Sequence, residues 1–553
     1  MHPTSLSQPS QLLHLLSTLQ SQNPSENPVL EGALNVLSHQ LASDKALRVQ
    51  LGSQHPSIWP PLHELWNAIA RAQSAGTDTD DQHSQLLISL AKFTRNLIAD
   101  VPFNQKNAYP LEPQIRQLIY LHTAWIRHGI ERGKFIHSWN KSFVTTRLLT
   151  QTLSNLVTGN EELLDQFWDV HMTIPEEKSV LLRLLGLPDL RSVLSVLVLV
   201  INCIHESSGR GHALVTTSIG IRVCISVLDR LEAFSDASEL EDGGKIFELG
   251  FALFSKLFQF GLFPELYSRT SVDDEPVSLS QTTLLKLLDS FCHSIPNQFR
   301  DQYDHLSNLA GFLASVFLVQ AESSQQFIQR ALGDTSPDHN GPRGVKGSAG
   351  SAAQEADFAL DGRLPGVWVA LVLLSTSLSS ILLAEQERSR GTCMEPEVVR
   401  MTRVCHEATS ASRNPGGSGF IEELIELLRL LDAFLPRVNF AKSKRSTHGK
   451  EAVPGQTADT AGFPYLKRDL VRLLGILSHN CKAIQDRIRL RGGIPVVLNL
   501  CVVDDRNPYL REHALFALRN LLHDNPENQA VVDTFRADEP RGPNVMVHDH
   551  GAN

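Results

Sequence analysis

Apolar residues recur along this chain three and four positions apart, in windows of roughly ten to eighteen residues. Leu12, Leu15, Leu16 and Leu19 keep that spacing, as do Leu86, Leu87, Leu90, Phe93 and Leu97, and again Leu284, Leu287, Leu288 and Phe291. Each set draws one apolar stripe on a helix of 3.6 residues per turn, and no segment alternates convincingly enough for a strand. Breakers punctuate the pattern at Pro60-Pro61, Pro110, Pro113, Pro175, Pro188, Pro264, Pro276 and Pro296. Proline lacks an amide hydrogen and disfavours helix in the residue before it, so each marks a helix boundary. The expectation is an all-α chain of helices joined by short turns.

Polar, Gly-rich stretches divide it. Residues 333–362 have almost nothing to bury, and 410–419 and 441–462 are similar. The expected organisation is an N-terminal helical-repeat region (1–332), a disordered insertion (333–362), middle helical repeats (363–440), a basic linker (441–462), a compact C-terminal domain (463–535) and a polar tail (536–553).

The C-terminal domain carries the clearest pattern. Leu466, Leu470, Leu473, Leu474 and Leu477 form one helix face, and a second helix runs through Ile484 and Ile488 to Gly492-Gly493, which suit a left-handed cap. A third opens at Ile494-Pro495, and a longer one follows through Leu510, Ala514, Leu515, Ala517, Leu518 and Leu521, where the spacing of Leu518 implies burial. Leu474, Leu477, His479 and Gln485 recur 44 residues on as Leu518, Leu521, His523 and Gln529, a period within the armadillo and HEAT range. Farther upstream, Arg95-Asn96-Leu97, Asp100, Pro102 and Asn104-Gln105 match Arg519-Asn520-Leu521, Asp524, Pro526 and Asn528-Gln529 at a constant offset of 424. The predicted fold is therefore an all-α, armadillo/HEAT-like helical-repeat superhelix.

Two features point to binding. Asn96, Asn155, Asn308 and Asn520, with Asn202 as a weaker member, sit near expected helix ends. Stacked repeats place such positions along one concave surface, where carboxamides can grip an extended peptide backbone; alternatively each caps its own helix or satisfies the turn after it. The second is charge. Arg487, Arg489 and Arg491, with Lys467, Arg468 and Arg472, make the C-terminal domain locally basic, and Lys442, Lys444, Arg445 and Lys450 make the linker basic. An acidic protein segment is the expected target, and solvated surface charge the plain alternative.

Residues 480–532 resemble an armadillo repeat. With Leu473-Leu474-Gly475-Ile476-Leu477, Asn480, Asp486, Gly493-Ile494-Pro495, Asp504-Asp505, Asn507-Pro508 and Arg511-Glu512, they also resemble the C-terminal signature of the ataxin-10 family. That resemblance implies a non-enzymatic, cytoplasmic armadillo-type scaffold linked to cytokinesis and cell division. It leaves the protein partner open, and homo-oligomerisation too. Some family members carry a copper-transport label.

Composition narrows the field. The 553 residues hold 50 Lys and Arg against 60 Asp and Glu, so the net charge of −10 argues against nucleic acid as the main partner. Seven scattered cysteines make no disulfide framework, and the N-terminus lacks the basic start of an export signal. Copper handling needs clustered soft ligands, and Cys393-Met394 and Cys405-His406 are the nearest approach. His205-Glu206 lacks the second histidine of a zinc-protease helix, and 416–420 lacks the last glycine of a nucleophile elbow. No enzyme, metal or cofactor is expected. A nuclear-transport adaptor would place tryptophans before the asparagines, yet Lys92, Gln151, Asp304 and Phe516 stand four positions back. Val367 to Ala384 runs without a charge; a buried inner helix is expected rather than a membrane span or tether.

Overall fold

The computed structural model describes residues 28–75, 81–131, 139–235, 241–294, 303–333, 361–390, 419–435, 465–505 and 507–537. The expected helix at Leu12 to Leu19, residues 334–360 of the insertion, the linker cations from Lys442 to Lys450 and the tail beyond 537 lie outside the described residues. Every regular element among the described residues is helical. They form two compact units, Met1–Thr270 and Ser271–Asn553. The described residues between 271 and 332, part of the expected N-terminal region, fall in the second unit.

In the first unit the helices run α1 Pro28–Ser43, α2 Lys45–Ser53, α3 Trp59–Ser74, α4 Asp81–Ile98, α5 Pro102–Ala108, α6 Glu112–Glu131, α7 Trp139–Val157, α8 Glu161–Thr173, α9 Val180–Leu185, α10 Leu190–Ile204, α11 Ser208–Thr216, α12 Ser218–Ala233, α13 Asp242–Gln259 and α14 Phe263–Arg269. Every third helix packs on its counterpart in the next triplet. A first row α1–α4–α7–α10–α13 stacks continuously, a row α3–α6–α9–α12 stacks beside it, and short helices lie between. This is the armadillo-like repeat expected, built from helices that cannot bury their stripes singly.

Local sequence explains the boundaries. Asp44, Asn160, Ser179, Asp189, Ser207 and Thr217 cap helix starts by accepting backbone N–H bonds three residues on. Pro102 opens α5 at the first helical position, where its missing N–H leaves nothing unpaired. The helix ends are just as regular. Two residues past α4, α7, α10 and α13 stand Asp100, Gly159, Glu206 and Gly261, all at positive φ between 55° and 74°. That left-handed residue turns the chain from each first-row helix into the short helix after it. The repeat is thus kept in backbone geometry where its sequence has drifted. Leu86, Leu87, Leu90, Phe93 and Leu97 are all buried as their spacing requires.

The second unit contains α15 Leu279–Ser294, α16 Tyr303–Gly333, α17 Leu364–Arg390, α18 Phe420–Phe434, α19 Leu466–Ser478, α20 Lys482–Leu490, α21 Gly493–Leu500, α22 Leu510–Leu522 and α23 Pro526–Ala537. Here α15, α17, α19 and α22 make one row, with α16 and α18 beside it. Asn480 and Asp524, at φ 52° and 48°, repeat the left-handed turn, and Gly492 takes φ 69° before α21.

The apolar run is α17. Leu364–Glu387 is long and apolar enough to cross a membrane, with a mean hydropathy of 2.2. In this structure it packs against α15, α16 and α19. Two of its polar side chains find partners inside the protein: Trp368 Nε1 donates to Ser324 Oγ at 2.9 Å, and Thr376 Oγ1 to Asp289 Oδ1 at 2.6 Å.

Candidate protein-binding surfaces

A helix leaves its last four carbonyls without intrahelical donors. In the first row, side-chain amides supply many of those donors. Asn155 on α7 reaches back to α4, its Nδ2 donating to Arg95 O at 3.0 Å. Gln105, on the short helix after α4, reaches forward, its Nε2 donating to Asn155 O and Thr158 O at 2.9 Å each. The second unit repeats this bracket residue for residue. Asn520 Nδ2 donates to Gly475 O at 2.9 Å, and Gln485 Nε2 donates to Asn520 O at 2.9 Å. Asn160 Nδ2 reaches Gln105 Oε1 at 3.4 Å, as Asn525 Nδ2 reaches Gln485 Oε1 at 3.0 Å. Asn104 and Asn528 close the same turn, donating to Leu97 O at 2.8 Å and Leu521 O at 2.7 Å. Consecutive repeats are thus tied reciprocally, the carboxamides supplying donors to carbonyls at and just beyond the helix ends.

This geometry differs from both readings of the asparagine series. Asn96, whose Nδ2 donates to Ser38 O at 2.8 Å, and Asn520 are buried, and they tie neighbouring helices rather than capping their own. Asn202 does likewise, donating to Thr158 Oγ1 at 3.0 Å. Asn308 is not part of the series: it is exposed near the start of α16, which lies outside the first row. An Asn-Leu dipeptide does not by itself locate a helix end.

Arg487, Arg489 and Arg491 are also engaged within the chain. Arg487 holds Glu422 of α18 through two bonds, Nε at 2.6 Å and Nη2 at 2.7 Å, and Arg491 adds an ion pair to the same carboxylate at 3.3 Å. Burial opposes ionisation of Glu422, but the Arg487 bonds, its own backbone N–H and the charges of Arg487 and Arg491 together hold the carboxyl below its usual range. Arg489 turns to the other side and pairs with Asp486 at 3.3 Å. Lys467 is buried and donates to Leu435 O at 2.7 Å.

Among the described residues, two open grooves stand out. In the second unit, a groove of about 810 Å³ lies among α18, α21, α22 and α23, walled by Val496, Leu498, Val502, Leu518, Val532 and Phe535, with Arg429 and Asp432 adding charge. Val502 and Phe535 are 51% and 49% exposed. Leu518 is half-buried and Leu515 exposed, so the core stripe of α22 is Leu510, Ala514, Ala517 and Leu521. The two extra leucines beside a filled stripe were the available sequence signal. In the first unit, a groove of about 400 Å³ runs between α7 and α10, lined by Arg147, Gln151, Asn155, Arg191, Ser195 and Val198.

Among the described residues no group of three or more His, Cys, Asp and Glu side chains is placed to hold a metal ion. Cys393, Met394, Cys405 and His406 lie outside the described residues. Cys203 and Cys224 are buried, and burial pushes the Cys224 thiol up to about 12, far from a reactive thiolate.

Residues 466–551 match the family model described as the Spinocerebellar ataxia type 10 protein domain. The chain is similar to the Ataxin-10 homolog of Dictyostelium discoideum, 40% identical over 90 residues, which cover 15% of each chain. Ataxin-10 of Bos taurus is 35% identical over 115 residues, covering 21% of this chain and 23% of that one. Ataxin-10 of Homo sapiens is 32% identical over 120 residues, with the same coverage. The matches thus span less than a quarter of these relatives' own lengths. Among solved structures, that of SYS-1 aligns over 97% of both chains at 12% identity and a TM-score of 0.34. The ataxin-10 resemblance read from the C-terminal residues is borne out by the family match.

Proposed function

We propose that this chain, whose C-terminal unit is of the ataxin-10 type, is a non-enzymatic scaffold that holds another protein in the cytoplasm and acts in the regulation of cytokinesis. The observation that carries the binding reading is the apolar groove among α18, α21, α22 and α23. Val502, Leu518, Val532 and Phe535 keep apolar surface in water there, while the repeats beneath are already packed. Covering such a patch recovers roughly 25 cal/mol for each Å² removed from water. The ion pair of Arg487 with Glu422 supports the same reading, because it fixes α20 to α18 and keeps the groove wall in place. The cell-division setting rests on the resemblance to the ataxin-10 family.

The test is affinity purification of the full chain beside a Val502→Asp, Leu518→Asp variant, after circular dichroism shows both equally helical. Loss of one specific protein from the variant, and its return when that protein is mixed with wild type in purified form, supports the proposal. An identical set of recovered proteins from both chains refutes the groove as the binding site.

A further inference from the structure

The 44-residue repeat allows the outer face of α22 to be compared with the same face one repeat earlier. Val471, Leu474 and Ser478 of α19 have no exposure, and α22 packs on that helix. Their counterparts 44 residues on are Leu515, Leu518 and Leu522. Leu515 is 46% exposed, and Leu518 and Leu522 are half-buried. The short helices show the same contrast: Ile488 of α20 is fully buried, whereas its counterpart Val532 of α23 is half-buried. After the left-handed turn at Asp524, α23 takes the place that α20 takes after Asn480, yet among the described residues no row helix follows it. A repeat stack left open in this way ordinarily carries a polar outer face, and this one is apolar.

The amide bracket shows what that face is shaped to receive. Row helices lie parallel, because an asparagine in the last turn of one reaches the last turn of the helix before it: Asn155 to Arg95 O and Asn520 to Gly475 O. Arg519 stands at the register of both Arg95 and Gly475, so its carbonyl is the next acceptor in the series. A glutamine of the short helix completes the bracket from the other side. Gln105 and Gln485 are buried and donate to carbonyls at the end of the row helix that follows. Their counterpart Gln529 is exposed, and with no described row helix in front of it the Nε2 turns back to Leu522 O at 2.8 Å.

We propose that this face takes one amphipathic helix of another protein, laid parallel to α22 in the place of the next row helix. The proposal rests on the groove reading above and names its occupant. An apolar stripe on that helix, at i, i+3 or i+4 and i+7, covers Leu515, Leu518, Leu522, Val532 and Phe535. An asparagine in its last turn donates to Arg519 O, and Gln529 swings forward to donate to a carbonyl of the same turn. The packing of α22 on α19 is the template, so the contact continues an interface the chain already makes. A second copy has no such helix to offer among the described residues: Asn96, Asn155, Asn202 and Asn520 are each already bonded to a neighbouring helix. Residues 538–553 include Pro540 and Pro543, which interrupt a helix.

The probe is a fluorescein-labelled peptide of residues 509–525, which carries the row helix that covers α19, titrated with the full chain and followed by anisotropy. Every chain is first shown to be equally helical by circular dichroism. The expected result is saturable binding below about 1 mM, weakened at least about tenfold by Leu515→Asp in the chain. Gln529→Ala in the chain, or Asn520→Ala in the peptide, weakens it at least about threefold. Arg222→Gln, at an exposed position in the first unit, leaves it unchanged. No saturation by about 1 mM peptide, or equal binding by the Leu515→Asp and Arg222→Gln chains, overturns the proposal. Deletion of residues 538–553 that tightens peptide binding at least about tenfold also overturns it, and assigns the face to the chain's own tail. An oligomer that sedimentation velocity detects in wild type and that Leu515→Asp dissolves overturns it in favour of a second copy. A protein lost from the Val502→Asp, Leu518→Asp chain but retained by the Leu515→Asp and Gln529→Ala chains overturns the parallel helix while leaving the groove as the binding site.

Discussion

Replacing Asn520 by alanine separates a structural tie from a peptide grip. Gly475 O belongs to the last turn of α19, beyond the reach of the helix's own backbone N–H groups; Asn520, 5% exposed, reaches it at 2.9 Å. Ser478 Oγ also donates to it, at 3.1 Å, so the carbonyl is not wholly abandoned in the variant. Losing one hydrogen bond to a buried backbone group costs about 1–3 kcal/mol. At about 1.4 kcal/mol for each factor of ten, local opening of α19 and α22 rises about five- to 150-fold. A chain of this size does not unfold in one step, so native-state amide hydrogen exchange on α19 and α22 is the assay. Arg519→Ala, next along the helix and exposed, is the control expected within about 0.5 kcal/mol of wild type. If exchange in the Asn520→Ala chain stays within about twofold of that control, the amide bracket does not hold the repeats together and the reasoning is refuted.

Three further outcomes are expected. Leu521→Ala, at a position with no exposure, costs about 2–5 kcal/mol, whereas Leu518→Ala, on the groove wall, costs under about 1.5; chemical denaturation of the second unit's helices ranks them. Gly475→Ala places a methyl 2.9 Å from the Phe516 ring and 3.0 Å from Ala517 Cα, so α19 and α22 must separate, at about 1–3 kcal/mol read by the same exchange experiment. His122 is buried, both ring nitrogens lack hydrogen-bond partners among the described residues, and burial drives its pKa down to about 4. The native state therefore resists a proton the unfolded chain accepts near 6.5: stability is full above that pH and falls as pH drops towards 4, by up to about 1.4 kcal/mol per unit. His122→Phe should flatten that slope in thermal melts between pH 4 and 7.

Much of the architecture was legible because its causes are local. The stripe Leu86, Leu87, Leu90, Phe93, Leu97 requires a helix with one buried face, and all five are buried. Gly492 before α21 and Asp100 and Asp524 after their helices took the left-handed turns their residue types favour. Glu206 takes the same turn without any such signal, because the packing of α10 and α11 holds it there. The surfaces were harder to read. Leu518 has the spacing of a core residue, yet the stripe of α22 was filled without it, and only the position of α21 and α23 leaves it on a groove wall.

By itself, then, the sequence determined most of the helices and their ends, the repeat and the ataxin-10 likeness of residues 466–551, since hydrophobic period, proline and glycine act within a few residues of one another. Only the tertiary structure decided what the polar residues do. Asn155 meets Arg95 O across 60 positions, Asn520 meets Gly475 O across 45, and Arg487 meets Glu422 across 65. A carboxamide or guanidinium has the same donors wherever it stands; whether they face a partner protein or an orphaned carbonyl depends on which helix the fold brings within about 3 Å.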